Sequence, residues 1–225
     1  MVAGARKWQE TGNAGLAPYD RVATEGIASH PHAMAIAAAS SPEPVRDLAD
    51  LIHLICDIHG RHPTLVEAAL ARSASGVQRD WMMQAANAFE RERLYVVDLT
   101  ARVGPLPSTP GAAASTSTMQ ATRHAVETLA KSERRGCALG AATALVVDWQ
   151  GIRALLDIAA ERVGIDLPEC TLPDRCSTEA VMASVDGDVA AERALGFGAE
   201  QLLLQHRGLF DLLEARAKAR YDADC

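Results

Sequence analysis

Aromatic side chains are scarce in this 225-residue chain, at 4%, with three each of Phe, Trp and Tyr. Sheet cores draw on aromatic and β-branched residues, whereas the 48% hydrophobic content here rests on Ala, Leu and Val, which suit closely packed helices. An all-α fold is expected. Basic charge is short as well. Lys and Arg number 22 against 29 Asp and Glu, leaving a net charge of -7 and a pI near 5.5. Nucleic acid is therefore not an expected partner, because its binding rests on basic patches that neutralise phosphates. The mixed-sign runs Glu90 to Arg93 and Glu133 to Arg135 read as solvated helix surface.

Cysteine is too sparse and too odd in number, at five, for a disulfide framework in a chain of this length. Cys170 and Cys176 have no second Cys/His pair to complete a zinc pattern. The N-terminal residues lack an apolar stretch followed by a cleavage site, so the cytoplasm is the expected location. The apolar run from Cys137 to Val147 covers eleven residues, short of the roughly 20 that span a bilayer, so no membrane partner is expected. Gly-x-Ser-x-Gly, phosphate-binding glycine loops and a cysteine nucleophile signature are all missing. Recognisable covalent and nucleotide chemistry is thereby set aside, and no cofactor or metal is assigned.

What is present is helical periodicity. Residues 1–40 mix Gly, Pro and polar groups and read as a loosely structured arm with one or two short helices, while 41–225 reads as one helical-bundle domain. Ser41 and Pro42 look like an N-cap and first helical residue. They open a helix over 43–60 with Leu48, Leu51, Ile52, Ile55 and Ile58 on its apolar face. Pro63 opens a short partner over 63–73. Four long helices follow, over 77–103, 115–131, 137–163 and 188–220. Between the first two lies Gly104 to Gly111, with three prolines and two glycines in eight positions, a stiff connector. A Pro/Cys-containing loop leads to a short helix at Ser177. The last helix carries Leu195, Ala199, Leu202, His206, Leu209 and Leu213, spaced by fours and threes as bundle packing requires.

Chemistry concentrates on one charge. The helix over 137–163 is apolar around nearly its whole circumference, yet Asp148 stands in its stripe of Cys137, Ala141, Ala144, Gly151, Leu155 and Ile158. Burial raises a carboxylate pKa and a nearby Arg or His lowers it. Asp148 is thus either a proton-transfer group or a structural partner of an arginine in a dry core. His206 stands at a core position of the last helix, where antiparallel packing would bring it to Asp148 as an oriented base. His124 is the other candidate shuttle, and an arginine among Arg91, Arg134 and Arg135 the anion stabiliser. Tyr95 and Trp149 would form apolar walls with polar tips, and His59 would line a pocket mouth. The reading is a metal-independent lyase or isomerase acting on a small apolar or aromatic molecule. A homodimer is an assembly that its apolar stripes allow.

Two rivals stand beside it. One is a non-catalytic interaction or scaffold protein. The other is a ferritin-like metal bundle, drawing on His53, Asp57, His59, His62 and Glu67. Carboxylate-bridged di-iron bundles place Glu-x-x-His on each of two helices, and here Asp50-x-x-His53 is the only such pair in an apolar-patterned helix. Positions 46, 50, 53 and 57 are all polar, which reads as a solvated face, and His124 and Glu127 share another helix face.

Overall fold

A computed structural model describes residues 17–73 and 76–224. The described residues are all helical where they are regular, with no strand. Helices α1 (Ala17–Glu25) and α2 (Pro31–Ala37) flank a single 3₁₀ turn at Ile27–Ser29. Then come α3 (Pro44–His59), α4 (Leu65–Arg72), α5 (Val77–Arg102), α6 (Ala112–Ala130), α7 (Cys137–Val163), α8 (Arg175–Ala183) and α9 (Val189–Asp224). No helix among them is long and apolar enough to cross a membrane.

The long helices α5, α6, α7 and α9 fall within four residues of their expected spans, because each carries a regular apolar stripe that must be covered. Trp81, Ala85, Phe89, Tyr95 and Leu99 of α5 are buried, as are Met119, Val126 and Leu129 of α6. Helix α7 is central and buries residues around most of its circumference. Its most extensive partner is α9, and small residues set their separation. A Cβ at Gly140 would land on the Leu195 carbonyl, and one at Gly198 on the Cys137 carbonyl. Neither position accepts a side chain, so the two backbones lie almost in contact.

The helix starts differ from expectation in chemical detail. Pro44, not Pro42, occupies the first turn of α3, and its N-cap position is Glu43 without a capping bond. Ser41 stays outside. Thr64 caps α4 through a reciprocal box with Glu67, so Pro63 precedes the helix instead of opening it. Asp174 accepts from the Ser177 amide to start α8 three residues before the expected cap.

Residues 1–16 lie outside the described residues. The rest of the expected N-terminal arm is packed, not loose. Ile27, Ala33 and Ile36 are buried with His30 and His32, and α1, the 3₁₀ turn and α2 all lie against α7 and α9. His30 caps α2 by accepting from the His32 amide, while its other ring nitrogen faces Asp211 on α9 at 3.0 Å. Buried histidines disguise this segment as polar in sequence.

Candidate functional site

The α7 and α9 stripes bring Asp148 and His206 together in the core. Asp148 Oδ2 lies 2.7 Å from His206 Nδ1, and both side chains are only 1% exposed. Asp148 Oδ1 accepts a 2.8 Å bond from the Ile27 amide in the 3₁₀ turn. Each carboxylate oxygen thus meets a donor, one from a side chain and one from backbone that the sequence offered no reason to place there. Gly26 makes that approach feasible, since a Cβ on it would lie 2.6 Å from Asp148 Oδ1.

His206 is held in turn by a second histidine. Its Nε2 lies 3.1 Å from Nε2 of His59, the last residue of α3. Two imidazole nitrogens at this distance share one proton, because two N–H groups would repel and two lone pairs would leave the contact unbonded. Burial, with His206 beside it, holds the His59 imidazole well below the ordinary histidine range. His59 is therefore neutral. With Nδ1–H of His206 donated to the carboxylate, the chain runs Asp148, His206, His59, and a proton can move along it by tautomer exchange. Phe89 and Trp149 close on His59 edge-on, with ring centroids 6.1 and 5.3 Å away.

Trp149 leads into a second buried network. Its indole N–H donates to Glu92 Oε2 at 2.9 Å, and Arg153 donates to Glu92 Oε1 at 2.7 Å and to Asp157 at 2.6 Å. Tyr95 donates to the same Asp157 oxygen at 2.8 Å and stacks against the Arg153 guanidinium. Burial, and then Asp157, push the Tyr95 phenol well above its usual value. Arg153 also reaches the Pro168 carbonyl, which ties α7 to the loop after it. Trp149 and Tyr95 are thus core members with their polar tips bonded, not walls of an open pocket.

A family model described as a family of unknown function, DUF6975, matches residues 22–221. The chain belongs to this family. No curated protein and no solved structure matches it. The matched span of DUF6975 includes the whole Asp148, His206 and His59 chain and the Ile27 turn.

The remaining expected site residues lie elsewhere. His124 is exposed on α6. Arg135 is exposed and pairs with Asp188 at 3.2 Å, Arg134 lies over the Phe197 ring, and Arg91 reaches the Thr171 hydroxyl. Each of these three arginines faces solvent and holds a surface partner. A cleft of about 680 Å³ lies alongside the end of α3, with Cys56, Asp57, Gly60, Arg61 and Arg123 among its lining residues. Gly60 is next in sequence to His59, although His59 itself is not on the lining.

The face of α3 expected to be solvated packs in part against α9. Asp50 is fully buried. It takes Arg216 Nε and Nη2 at 2.9 and 2.8 Å, and Arg220 Nη1 at 2.6 Å. Arg220 also donates to Asp47 at 2.7 Å and to Thr109 in the stiff connector at 3.1 Å. Two carboxylates and two guanidiniums therefore join α3 to α9. Asp47 and Asp50 stand three apart and Arg216 and Arg220 four apart, so each pair shares one helix face.

The histidine-rich cluster also divides. His53 donates to the Gly104 carbonyl at 2.8 Å, and Asp57 pairs with Arg61 and Arg123. His59 turns inward, while His62 meets Glu67 and Glu90 at the surface. Asp50 and His53 do not converge.

Proposed function

We propose that this protein moves protons on a small, largely apolar or aromatic molecule, as a lyase or isomerase, with His59 as the base and the His206 and Asp148 pair behind it. The carrying observation is the one-proton contact between His59 and His206, backed by the carboxylate at 2.7 Å. When Nε2–H of His59 bonds to His206 Nε2, the lone pair sits on His59 Nδ1. A carbon acid giving its proton to that nitrogen would send the Nε2 proton on to His206, whose positive charge Asp148 balances. The substrate would occupy the 680 Å³ cleft beside Cys56 and Gly60, within the size range of small-molecule sites. The turn between those residues must move aside for contact, since His59 is 3% exposed. The cytoplasm remains the expected location.

A test that needs no prior substrate is deuterium wash-in. Small ketones, aldehydes and aryl-substituted carbonyl compounds are incubated with the protein in D₂O, and loss of C–H signal is followed by proton NMR. At least one compound should exchange with wild type, and exchange should fall at least about a hundredfold in His59→Gln, the usual scale of a lost general base. Failure of every compound, or equal exchange in the variant, removes the reading.

A second reading is favoured by the 1% exposure of the Asp148 and His206 side chains and by the Ile27 amide on the second carboxylate oxygen. In it, the chain of three fixes α3, α7, α9 and the N-terminal turn in register within a non-catalytic scaffold. The same experiment separates the two.

A further inference from the structure

Unpaired polar atoms around one cavity carry the strongest unassigned signal in the molecule. Among the described residues, His32 Nε2, Ser41 Oγ, Glu43 Oε2 and Arg220 Nε are buried without a hydrogen-bond partner. Unpaired buried groups of this kind are few in folded proteins and call for an explanation. The first three belong to residues lining a cavity of about 330 Å³ between α2, the start of α3 and the end of α9. His32 is 6% exposed. Ser41 is in this position because α3 begins two residues later than its Ser-Pro signal, which leaves the hydroxyl free of capping duty.

The charge on the lining selects the ligand. Glu43, Asp47 and Glu214 contribute carboxylates, and Lys218 is the one basic lining residue. Asp47 is engaged by Arg220, and Glu43 Oε1 by Arg46. Glu43 Oε2 is left 3.9 Å from Arg220 Nε, beyond hydrogen-bond reach. An anion entering here meets three carboxylates. A bare divalent cation is a poor fit, because the described groups of His, Asp and Glu close enough to share one ion are His30, Asp211, Glu214 and His62, Glu67, Glu90, and neither includes Glu43 or Asp47. The open valences are instead a carboxylate oxygen, a hydroxyl and an imidazole nitrogen, three acceptors for N–H donors. Ala35, Pro42 and the Tyr221 ring complete the wall, and an aromatic face also favours a cation.

We infer that this cavity binds a small primary ammonium compound with an apolar body, and that the Glu43, Ser41 and His32 side chains, whose polar atoms are closed off from solvent, turn toward it so that Glu43 Oε2, Ser41 Oγ and His32 Nε2 accept its three N–H groups. Burial keeps the His32 imidazole below the ordinary histidine range, which supports its role as a neutral acceptor. The volume sits at the lower end of small-molecule sites, which sets the ligand at a single ring or a short chain. This site is separate from the Asp148, His206 and His59 chain and stands whether or not that chain is catalytic.

The full chain, labelled on histidine rings, is titrated with butylammonium and benzylammonium chloride, with benzoate and benzyl alcohol as charge controls, and the His32 ring resonances are followed by NMR. At least one ammonium should shift His32 saturably at millimolar concentration, and benzoate should not. Glu43→Gln should weaken that binding about tenfold or more, as expected for loss of a charged hydrogen-bond partner. Ser41→Ala, which removes only a hydroxyl outside any helix, should weaken it less and keeps the test open if Glu43→Gln folds poorly. The inference is overturned if neither ammonium shifts His32, if benzoate binds as tightly, or if both variants bind like wild type.

Discussion

At Asp148 a single side chain serves one structural partner, the Ile27 amide, and one chemical partner, His206, and substitutions separate them. Asp148→Asn keeps an oxygen for the Ile27 amide but presents an NH₂ group to His206 Nδ1. His206 must then accept at Nδ1 and carry its proton on Nε2, so the proton shared with His59 now comes from the other side. Nitrogen-15 spectra of the histidine rings should report the inverted tautomers, with a stability loss of about 1–3 kcal/mol for the weakened bonds. Unchanged tautomers would mean that the carboxylate does not orient the pair. Gly26→Ala tests the backbone half of the same site. Its Cβ would lie 2.4 Å from the Val22 carbonyl and 2.6 Å from Asp148 Oδ1, so both the α1 end and the carboxylate must shift, and overpacking on this scale costs about 1–3 kcal/mol. Thermal melts of the two variants and their combination should be non-additive, because both disturb one carboxylate.

Among the elements, α9 is held to the bundle by two different devices. Along α7 it is held by absence of side chain, and Gly140→Ala should destabilise by about 1–3 kcal/mol as the Leu195 carbonyl is pushed away. Along α3 it is held by charge. Asp50→Ala removes the carboxylate shared by Arg216 and Arg220, leaving buried guanidinium groups under-paired, and should cost about 3–5 kcal/mol in denaturant melts. A loss below about 1 kcal/mol would place the network in the weakly coupled class of surface pairs.

These devices differ in how legible they are. The glycines and the apolar stripes are written locally, at three- and four-residue spacing, so the long helices and the meeting of Asp148 with His206 follow from pattern. Asp50 is not, because a polar stripe looks alike whether water or a guanidinium faces it, and its partners lie 166 and 170 positions away. His59 reads as a pocket-mouth residue because Gly60 breaks the helix there, and nothing local shows that its ring turns toward α9. Ile27 could not be found at all, since it acts through its amide and any residue supplies one.

For the molecule as a whole, buried histidines set the response to acid. His59 and His32 both have folded-state pKa values below the ordinary 6.5, chiefly because burial disfavours the imidazolium. The unfolded chain then takes up protons that the folded chain refuses once the pH drops below about 6.5, so the unfolded state gains on acidification. Stability contributed this way is complete above the unfolded value and falls with pH until the folded values are reached. Each such histidine contributes a slope of at most about 1.4 kcal/mol per pH unit. Glu67 and Glu90 act lower on the scale. Burial opposes the charge on Glu67, but the Thr64 amide and His62 outweigh it, and Arg93 holds Glu90 low. Their stabilisation is present above an ordinary value of 4.5 and lost only below it. Denaturant midpoints should therefore fall between about pH 7 and about pH 5, before carboxylate protonation begins. The slope should flatten in His59→Gln and flatten further in the double variant with His32→Gln, even if both start from lower stability at neutral pH. A wild-type midpoint constant over that interval would show both imidazoles free to charge inside the fold, and would remove the neutral His59 that the proposed base requires.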